Sequence, residues 1–313
     1  MISLRRSLLA ATALVLASLA APSAQAHAVC GARIFVNTLE IDDPGVGDEA
    51  NFPVLSYQSP DGKTSDVEAN FEYDKTITEN LGFGVGTTWN DLGNDQNDLN
   101  AKGKGTNHAG FEDAYLQLKY RWITLPEHEF MSSVEVTRNL GRAGTPGFDD
   151  GFNSTTFSGF LGKGLGDIPF DPIRPFALTG ELDYTVPDAG PASGTGGSVT
   201  SWSGGLSLQY SIPYLETQIH DDGLPPLLAN LTPLAELGWT SAAGHSNLGP
   251  TNMPTTFVLG TGAVWTGEFY SLSLETLWPL NGATGHGVGV IGQFHLYFDD
   301  MFPNSLGKPI FGS

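Results

Sequence analysis

The sequence predicts an all-β chain that forms a single antiparallel, up-and-down transmembrane β-barrel of about 12 strands, within a range of about 10 to 14. Three observations support this fold class. Apolar and polar residues alternate with a period of two along stretches of roughly ten residues. Short connections and long connections alternate between these stretches. Tryptophan residues cluster near the ends of the stretches, on their apolar side.

The first 26 residues have the pattern of a secretory signal peptide. Two arginines precede an apolar run over 8–21, and Ala24-Gln25-Ala26 is a small-x-small cleavage site. We expect cleavage after Ala26, with cleavage after Ala28 as the alternative, and therefore export to the outer membrane of a Gram-negative bacterium. Residues 27–50 are expected to form an N-terminal periplasmic segment.

The composition indicates a folded, acidic protein. Lys and Arg total 14 against 34 Asp and Glu, so the formal net charge is −20. This charge excludes nucleic acid as an expected partner, because phosphates would be repelled. The 40 glycines and 20 prolines are balanced by 18 Phe, 9 Tyr and 6 Trp, which give the chain ample apolar surface to bury. We predict a glycine-rich β protein that needs no cofactor.

The clearest strand runs over 114–122, where one face is entirely apolar or aromatic and the other is polar or charged. The same alternation occurs at 66–74 and 176–185. Further strands are expected at 81–89, 130–138, 155–164, 200–212, 233–240, 256–266, 268–278 and 288–298. Each is roughly ten residues long, enough for a tilted strand to cross a bilayer. Between them, only 224–231 is expected to form a short turn of helix.

Connection lengths orient the predicted barrel. Short connections such as 125–129 alternate with long ones such as 142–154, and outer-membrane barrels have this asymmetry between periplasmic turns and external loops. Because the strand at 66–74 would then run toward the periplasm, an upward strand must precede it. We place that strand at 51–59. The barrel is therefore expected to span 51–298, followed by a C-terminal tail over 299–313.

Aromatic residues favour a membrane barrel over a soluble β-sandwich, which would also hide one face of every strand. In the predicted topology they form two girdles at the hydrocarbon boundary. The outer girdle contains Trp89, Tyr184, Trp202, Trp239 and Trp278, and the inner girdle contains Tyr73, Trp122, Tyr210, Trp265, Tyr270 and Phe298. The expected partners are outer-membrane lipid, lipopolysaccharide and the barrel-assembly machinery. That machinery would read an internal aromatic signal at Phe298, unless the tail folds under the barrel.

One strand resembles a known family. The run from Gly110 to Arg121 reads Gly-Phe-Glu-Asp-Ala-Tyr-Leu-Gln-Leu-Lys-Tyr-Arg, and the glycine-rich hairpin 66–89 gives looser support. This run is similar to the glycine-acidic-alternating-Lys-Tyr-Arg strand of outer-membrane barrels associated with meta-pathway phenol degradation. The resemblance covers less than half of the chain and implies a channel or transporter barrel.

The polar faces of the strands predict an acidic lumen. The expected lumen-lining residues are Glu68, Glu72, Lys119, Arg121, Glu135, Glu181, Asp183, Gln209, Glu236, Glu275 and His295. A water-filled lumen of this kind would favour cations or neutral solutes over anions. Alternatively, Lys119 and Arg121 pair with the carboxylates and help to fill a narrow barrel, since about twelve strands enclose a modest space.

Other candidate sites have weaker patterns. Cleavage after Ala26 would place His27 at the mature N-terminus near Cys30, but we predict no metal site there. As the single cysteine, Cys30 excludes an intrachain disulfide. Two acidic loops lack EF-hand spacing and are interpreted as solvated turns; they contain Asp42, Asp43, Asp48 and Glu49, and Asp91, Asn94, Asp95, Asn97 and Asp98.

The leading functional hypothesis is a channel-like outer-membrane barrel for the passive passage of small molecules, with an unidentified solute. A structural or adhesive barrel without transport is the alternative. A soluble periplasmic β protein or an outer-membrane lipid hydrolase comes third. The hydrolase would need a Ser–His pair, yet the histidines are scattered among the connections, Gly244-His245-Ser246-Asn247 cannot form a triad by itself, and Gly-x-Ser-x-Gly is absent. We therefore predict a protein that is not an enzyme.

Overall fold

The computed structural model describes residues 28–59, 65–93, 108–188, 199–243 and 254–312. The expected signal peptide, His27, the loop residues Asn94 to Asp98 and the segment around His245 lie outside these ranges. Within them, none of the helices is long and apolar enough to span a membrane.

Twelve long strands form the wall of the barrel. They are β3 (Glu49–Gln58), β4 (Ser65–Thr78), β5 (Leu81–Gly93), β7 (Tyr115–Leu125), β8 (Phe130–Asn139), β9 (Ser154–Gly164), β10 (Phe176–Pro187), β11 (Ser201–Tyr210), β12 (Leu231–Ala242), β13 (Thr256–Thr266), β14 (Tyr270–Pro279) and β15 (Gly289–Tyr297). Three shorter strands accompany them: β1 (Ala28–Cys30), β2 (Arg33–Phe35) and β6 (Ala109–Phe111).

The wall is a closed antiparallel barrel. Each long strand pairs with its neighbours along the chain, and β15 pairs with β3 to complete the ring. The predicted fold class is therefore confirmed, including the early upward strand expected at 51–59, which forms β3. Pairing of β15 with β3 closes the ring of long strands, and a closed barrel is the form in which strands cross a bilayer.

The outward face of the wall is apolar. On β7, Leu116, Leu118 and Tyr120 are 48%, 48% and 50% exposed, while the residues between them point inward. An apolar surface of this extent is stable when lipid, rather than water, surrounds it. Alternation with a period of two thus produces a lipid-facing belt and a polar interior from the same strands.

The aromatic residues assigned to the girdles lie on the outward face near the strand ends. Tyr184 packs on Trp202 with ring centroids 4.7 Å apart, and Trp265 packs on Tyr270 at 5.6 Å. Phe298 differs from the expectation that it closes the last strand. That strand ends at Tyr297, and Phe298 begins a short helix (Phe298–Met301).

One seam of the wall is irregular. The lower half of β5, from Leu81 to Gly86, pairs with β7, whereas its upper part pairs with the short strand β6. Asp113, between β6 and β7, accepts hydrogen bonds from the backbone N–H groups of Ala143, Gly144 and Asp150. The external loop 140–153 is therefore fixed to the wall at this seam.

The connections at the other end include short helical elements and the C-terminal tail. Helices occur at Ile212–Tyr214, Leu215–Ile219 and Pro226–Ala229, the last within the turn of helix expected at 224–231. The tail folds against this end of the barrel, because Ile310 N–H and Phe311 N–H donate to the carbonyls of Thr76 and Ile77. We call this end the turn end and the opposite end the loop end.

Candidate functional site: the barrel lumen

The lumen contains part of the chain itself. Residues 27–50 were expected to form a periplasmic segment, but residues 28–48 contact inward-facing side chains around the whole wall. Their partners lie on β7, β10, β12 and β15. We call 28–35 the hairpin anchor and 36–48 the lumen segment.

Inward-facing glycines make room for this part of the chain. A Cβ at position 205 would lie 2.6 Å from Cγ2 of Ile41, and one at position 162 would lie 3.0 Å from the Phe35 ring. Any larger residue at these positions would collide with the inserted chain. Glycines on the polar face of several strands are thus the sequence signal for an occupied lumen, and sequence analysis overlooked it.

The hairpin anchor is held by a buried ion pair at the turn end. Arg33 is fully buried, and its Nε donates to Oε2 of Glu129 over 3.1 Å. Its other nitrogens donate to the carbonyls of Arg174 and Pro175, and the guanidinium lies 3.8 Å from the centroid of the Tyr214 ring. Burial lowers the pKa of Arg33, and the adjacent Glu129 carboxylate opposes that shift.

Apolar packing also holds the anchor. Cys30 and Phe35 form a buried cluster with Met131 of β8 and Ala177 of β10. The Cys30 thiol donates to the carbonyl of Phe130 over 3.3 Å, and burial raises its pKa. Cys30 is therefore part of the packing of the anchor. Among the described residues, no group of three or more His, Cys, Asp or Glu side chains could hold a metal ion.

Val36 of the lumen segment packs with Leu234 and Val264 of the wall, and the following residues are held mainly by polar contacts. The backbone N–H groups of Leu39 and Glu40 donate to Oε2 of Glu236 over 3.1 and 2.9 Å, and that of Asp42 donates to Glu181 over 2.7 Å. Lys119 donates to Oδ2 of Asp42 over 2.5 Å and to the carbonyl of Asp43 over 2.6 Å.

Two acidic side chains of the lumen segment titrate near neutrality. Burial, with the Glu236 carboxylate nearby, raises the pKa of Glu40 from 4.5 to about 7. Burial, with Asp42 as the next contribution, raises the pKa of Asp43 from 3.8 to about 7, although Lys119 opposes this shift. Both groups resist ionisation because the lumen offers them less water and a surplus of carboxylates.

Above the lumen segment lies a cavity of about 550 Å³. Residues 37–42 form its floor, and its walls reach Asn139, Ser154 and Thr185 at the loop ends of β8, β9 and β10. Tyr115 and Phe160 are the aromatic side chains among its described lining residues. The Tyr115 hydroxyl donates to Oε2 of Glu72 over 2.6 Å.

A second cavity, of about 350 Å³, lies on the other side of the segment at the turn end. The hairpin anchor contributes Ala32 and Ile34 to its wall, and the lumen segment contributes Val36. The connection after β11 contributes Pro213 and Tyr214. The inserted chain thus lies between a cavity at the loop end and a more apolar one at the turn end.

The residues predicted to line the lumen fall into three groups. Those bordering the upper cavity are Glu72, Glu135 and Glu181. Those contacting the inserted chain or lying beside it are Lys119, Asp183, Glu236, Glu275 and His295. The contact of His295 is with Asn37, whose Nδ2 lies 2.9 Å from His295 Nδ1. Glu68, Arg121 and Gln209 bond to neighbouring wall or turn residues, namely Asn90, Asn80 and Thr179.

The acidic loop from Asp42 to Glu49 was interpreted as solvated turns, and this is wrong for Asp43 and Asp48, which are buried. Asp48 is fully buried and accepts hydrogen bonds from Lys75 Nζ and from the N–H of Thr76, over 2.7 and 2.6 Å. Asp299, in the helix after β15, accepts from the N–H of Asp48 over 2.9 Å. This loop therefore fixes the N-terminal segment to the barrel base.

Comparison with known proteins identifies no sequence family. No family model matches the chain, and no curated protein matches it. An outer-membrane channel from Pseudomonas putida F1 is 11% identical, with a TM-score of 0.56, and the match covers 85% of this chain and 100% of that one. The NanC porin is 8% identical, with a TM-score of 0.47, and the match covers 80% and 98%. The likeness to the Pseudomonas protein shows a shared fold, an outer-membrane β-barrel.

Proposed function

We propose that this chain is an outer-membrane channel for small molecules, and that its lumen segment is the constriction of the pathway. One observation carries the proposal: the floor of the 550 Å³ cavity is made by residues 37–42 of the inserted chain and not by the wall. A solute that enters from the loop end therefore meets the inserted chain before it can pass. The Pseudomonas putida protein with the same fold is named as a channel, which supports this proposal.

The two parts of the inserted chain differ in how they are held. The hairpin anchor combines a buried ion pair with apolar packing at the base of the barrel. Residues 37–43 are held mainly by hydrogen bonds to carboxylates and to Lys119. Water can replace hydrogen bonds of this kind at small net cost, whereas apolar burial is lost when a segment moves. Residues 37–43 can therefore shift while the anchor and Asp48 stay in place.

Modification of the cavity floor tests the pathway. In planar bilayers, Leu39→Cys in the full mature chain would be treated from both sides with a methanethiosulfonate that carries a trimethylammonium group. Leu39 lines the cavity, so the adduct should reduce the single-channel current. Leu227→Cys is the matched control, because Leu227 is 71% exposed at the turn end. The unmodified chain controls for Cys30, which is buried.

Each result has a clear meaning. A current that falls on modification of Leu39→Cys, but not of Leu227→Cys, would support both the channel and its constriction. Modification confirmed by mass spectrometry without any change of current would exclude residue 39 from the pathway. A folded chain that conducts no ions in any form would overturn the channel and favour a structural or adhesive barrel.

A further inference from the structure

The ionisable side chains that line the cavity above the lumen segment, here called the upper cavity, include carboxyl groups but no lysine or arginine among the described residues. Five carboxyl side chains line this cavity: Glu40, Asp42, Glu72, Glu135 and Glu181. A cavity with charges of one sign and walls of low dielectric concentrates the opposite charge.

The nearest lysine compensates only part of the acidic wall. Lys119 Nζ contacts Asp42 and the carbonyl of Asp43, and it lies 4.4 Å from the centroid of the Phe160 ring on the wall. It therefore bonds directly to one of the five carboxyl groups, and its positive charge also attracts Glu135 and Glu72. Arg138, at the loop end of β8, pairs with Asp188 instead. No lysine or arginine among the described lining residues is available to the other four carboxyl groups.

One of these carboxyl groups is buried and incompletely bonded. Glu135 is 8% exposed, and its Oε1 accepts a hydrogen bond from Thr137 over 2.7 Å. Its Oε2 has no hydrogen-bond partner among the described residues. A buried carboxylate oxygen without a donor is costly, and a ligand that supplies a donor or a positive charge removes that cost.

The cavity has the size and aromatic surface of an organic ligand site. Its volume of about 550 Å³ lies within the range of about 300–1,000 Å³ that is usual for small-molecule pockets. Phe160 presents an aromatic ring on the same wall. The ammonium of Lys119 lies 4.4 Å from the centroid of that ring, so one face of Phe160 already stabilises a cation.

We infer that the upper cavity binds a small organic cation, with an ammonium group near Glu135 and Glu181 and a compact apolar body against Phe160 and Tyr115. This inference names the class of solute for the proposed channel, and its biological role rests on that proposed function. Binding itself requires the cavity and not conduction. The two ideas can therefore fail separately.

Calorimetric titration of the full mature chain, folded in detergent, tests the inference. Benzyltrimethylammonium is the cationic probe, benzyl alcohol the neutral one and benzoate the anionic one. The cation should bind, and Glu135→Gln and Glu181→Gln should each weaken its binding by about tenfold or more, since they remove a charge from a partly desolvated site. Glu127→Gln makes the same change on an exposed turn and should leave binding unchanged.

Three results would overturn the inference. Equal binding of benzyl alcohol would show that the site recognises an apolar body alone, and binding of benzoate would contradict its charge preference. Heat from potassium or calcium chloride with none from the organic cation would indicate an inorganic ion site. If the cation binds but the chain never conducts, the binding site stands and the proposed channel fails.

Discussion

Replacement of Arg33 by methionine should release the hairpin anchor while the barrel stays folded. The substitution keeps a side chain of similar length but removes the ion-pair partner of Glu129, a residue that is 5% exposed. It also removes the hydrogen-bond donors to the carbonyls of Arg174 and Pro175. Removing one member of a buried ion pair costs about 3–5 kcal/mol, because the other charge stays buried alone. Since each 1.4 kcal/mol is tenfold, opening of the anchor should become about 10² to 4 × 10³ times more frequent.

Hydrogen–deuterium exchange of the folded chain measures this opening directly. Peptides from 28–48 should exchange faster in Arg33→Met, while peptides from β8 to β14 should keep wild-type protection. Arg33→Met combined with Glu129→Gln should recover part of the protection, because it removes the uncompensated carboxylate. Arg138→Met breaks an exposed pair with Asp188 at the opposite end and serves as the control. Wild-type exchange of 28–48 in Arg33→Met would refute the ion pair as an anchor.

Three further predictions follow from other contacts of the inserted chain and the tail. The pKa of Glu40 is raised to about 7 from 4.5, so docking of the lumen segment is strongest at low pH and weakens as pH rises through this window. Protection of 36–48, corrected for the intrinsic pH dependence of amide exchange, should fall accordingly. Glu40→Gln should reduce that fall, and Asp43 should supply the rest. Met131→Ala removes most of a fully buried side chain from the anchor cluster and should destabilise the docked anchor by about 2–5 kcal/mol. Hydrogen–deuterium exchange of 28–35 measures this loss, and an unchanged exchange rate would contradict a role of Met131 in holding the anchor. Burial, with Asp48 as the next contribution, raises the pKa of Asp299 to about 9. Asp299→Asn should therefore preserve protection of the tail at pH 7, whereas Asp299→Ala should expose the tail to proteolysis. Equal sensitivity of both variants to the protease would refute the proposed contact.

The sequence alone predicted the wall of the barrel, because the information for a strand is local. Alternation over 114–122 fixes which side chains of β7 face lipid, and the alternation of short and long connections fixes the direction of each strand. Even the weakly patterned strand β3 followed from the requirement that the chain start at the turn end. The shift at Phe298 lies within the usual uncertainty of element boundaries.

Only the tertiary structure showed that residues 28–48 lie inside the lumen. The segment has no periodicity of its own, and its contacts join positions far apart in the chain, such as Asn37 with His295 and Arg33 with Glu129. A carboxylate on the polar face of a strand, such as Glu236, has the same local pattern whether water or the N-terminal segment occupies the space before it. What the wall encloses depends on those non-local contacts, and no pattern within a single strand encodes them.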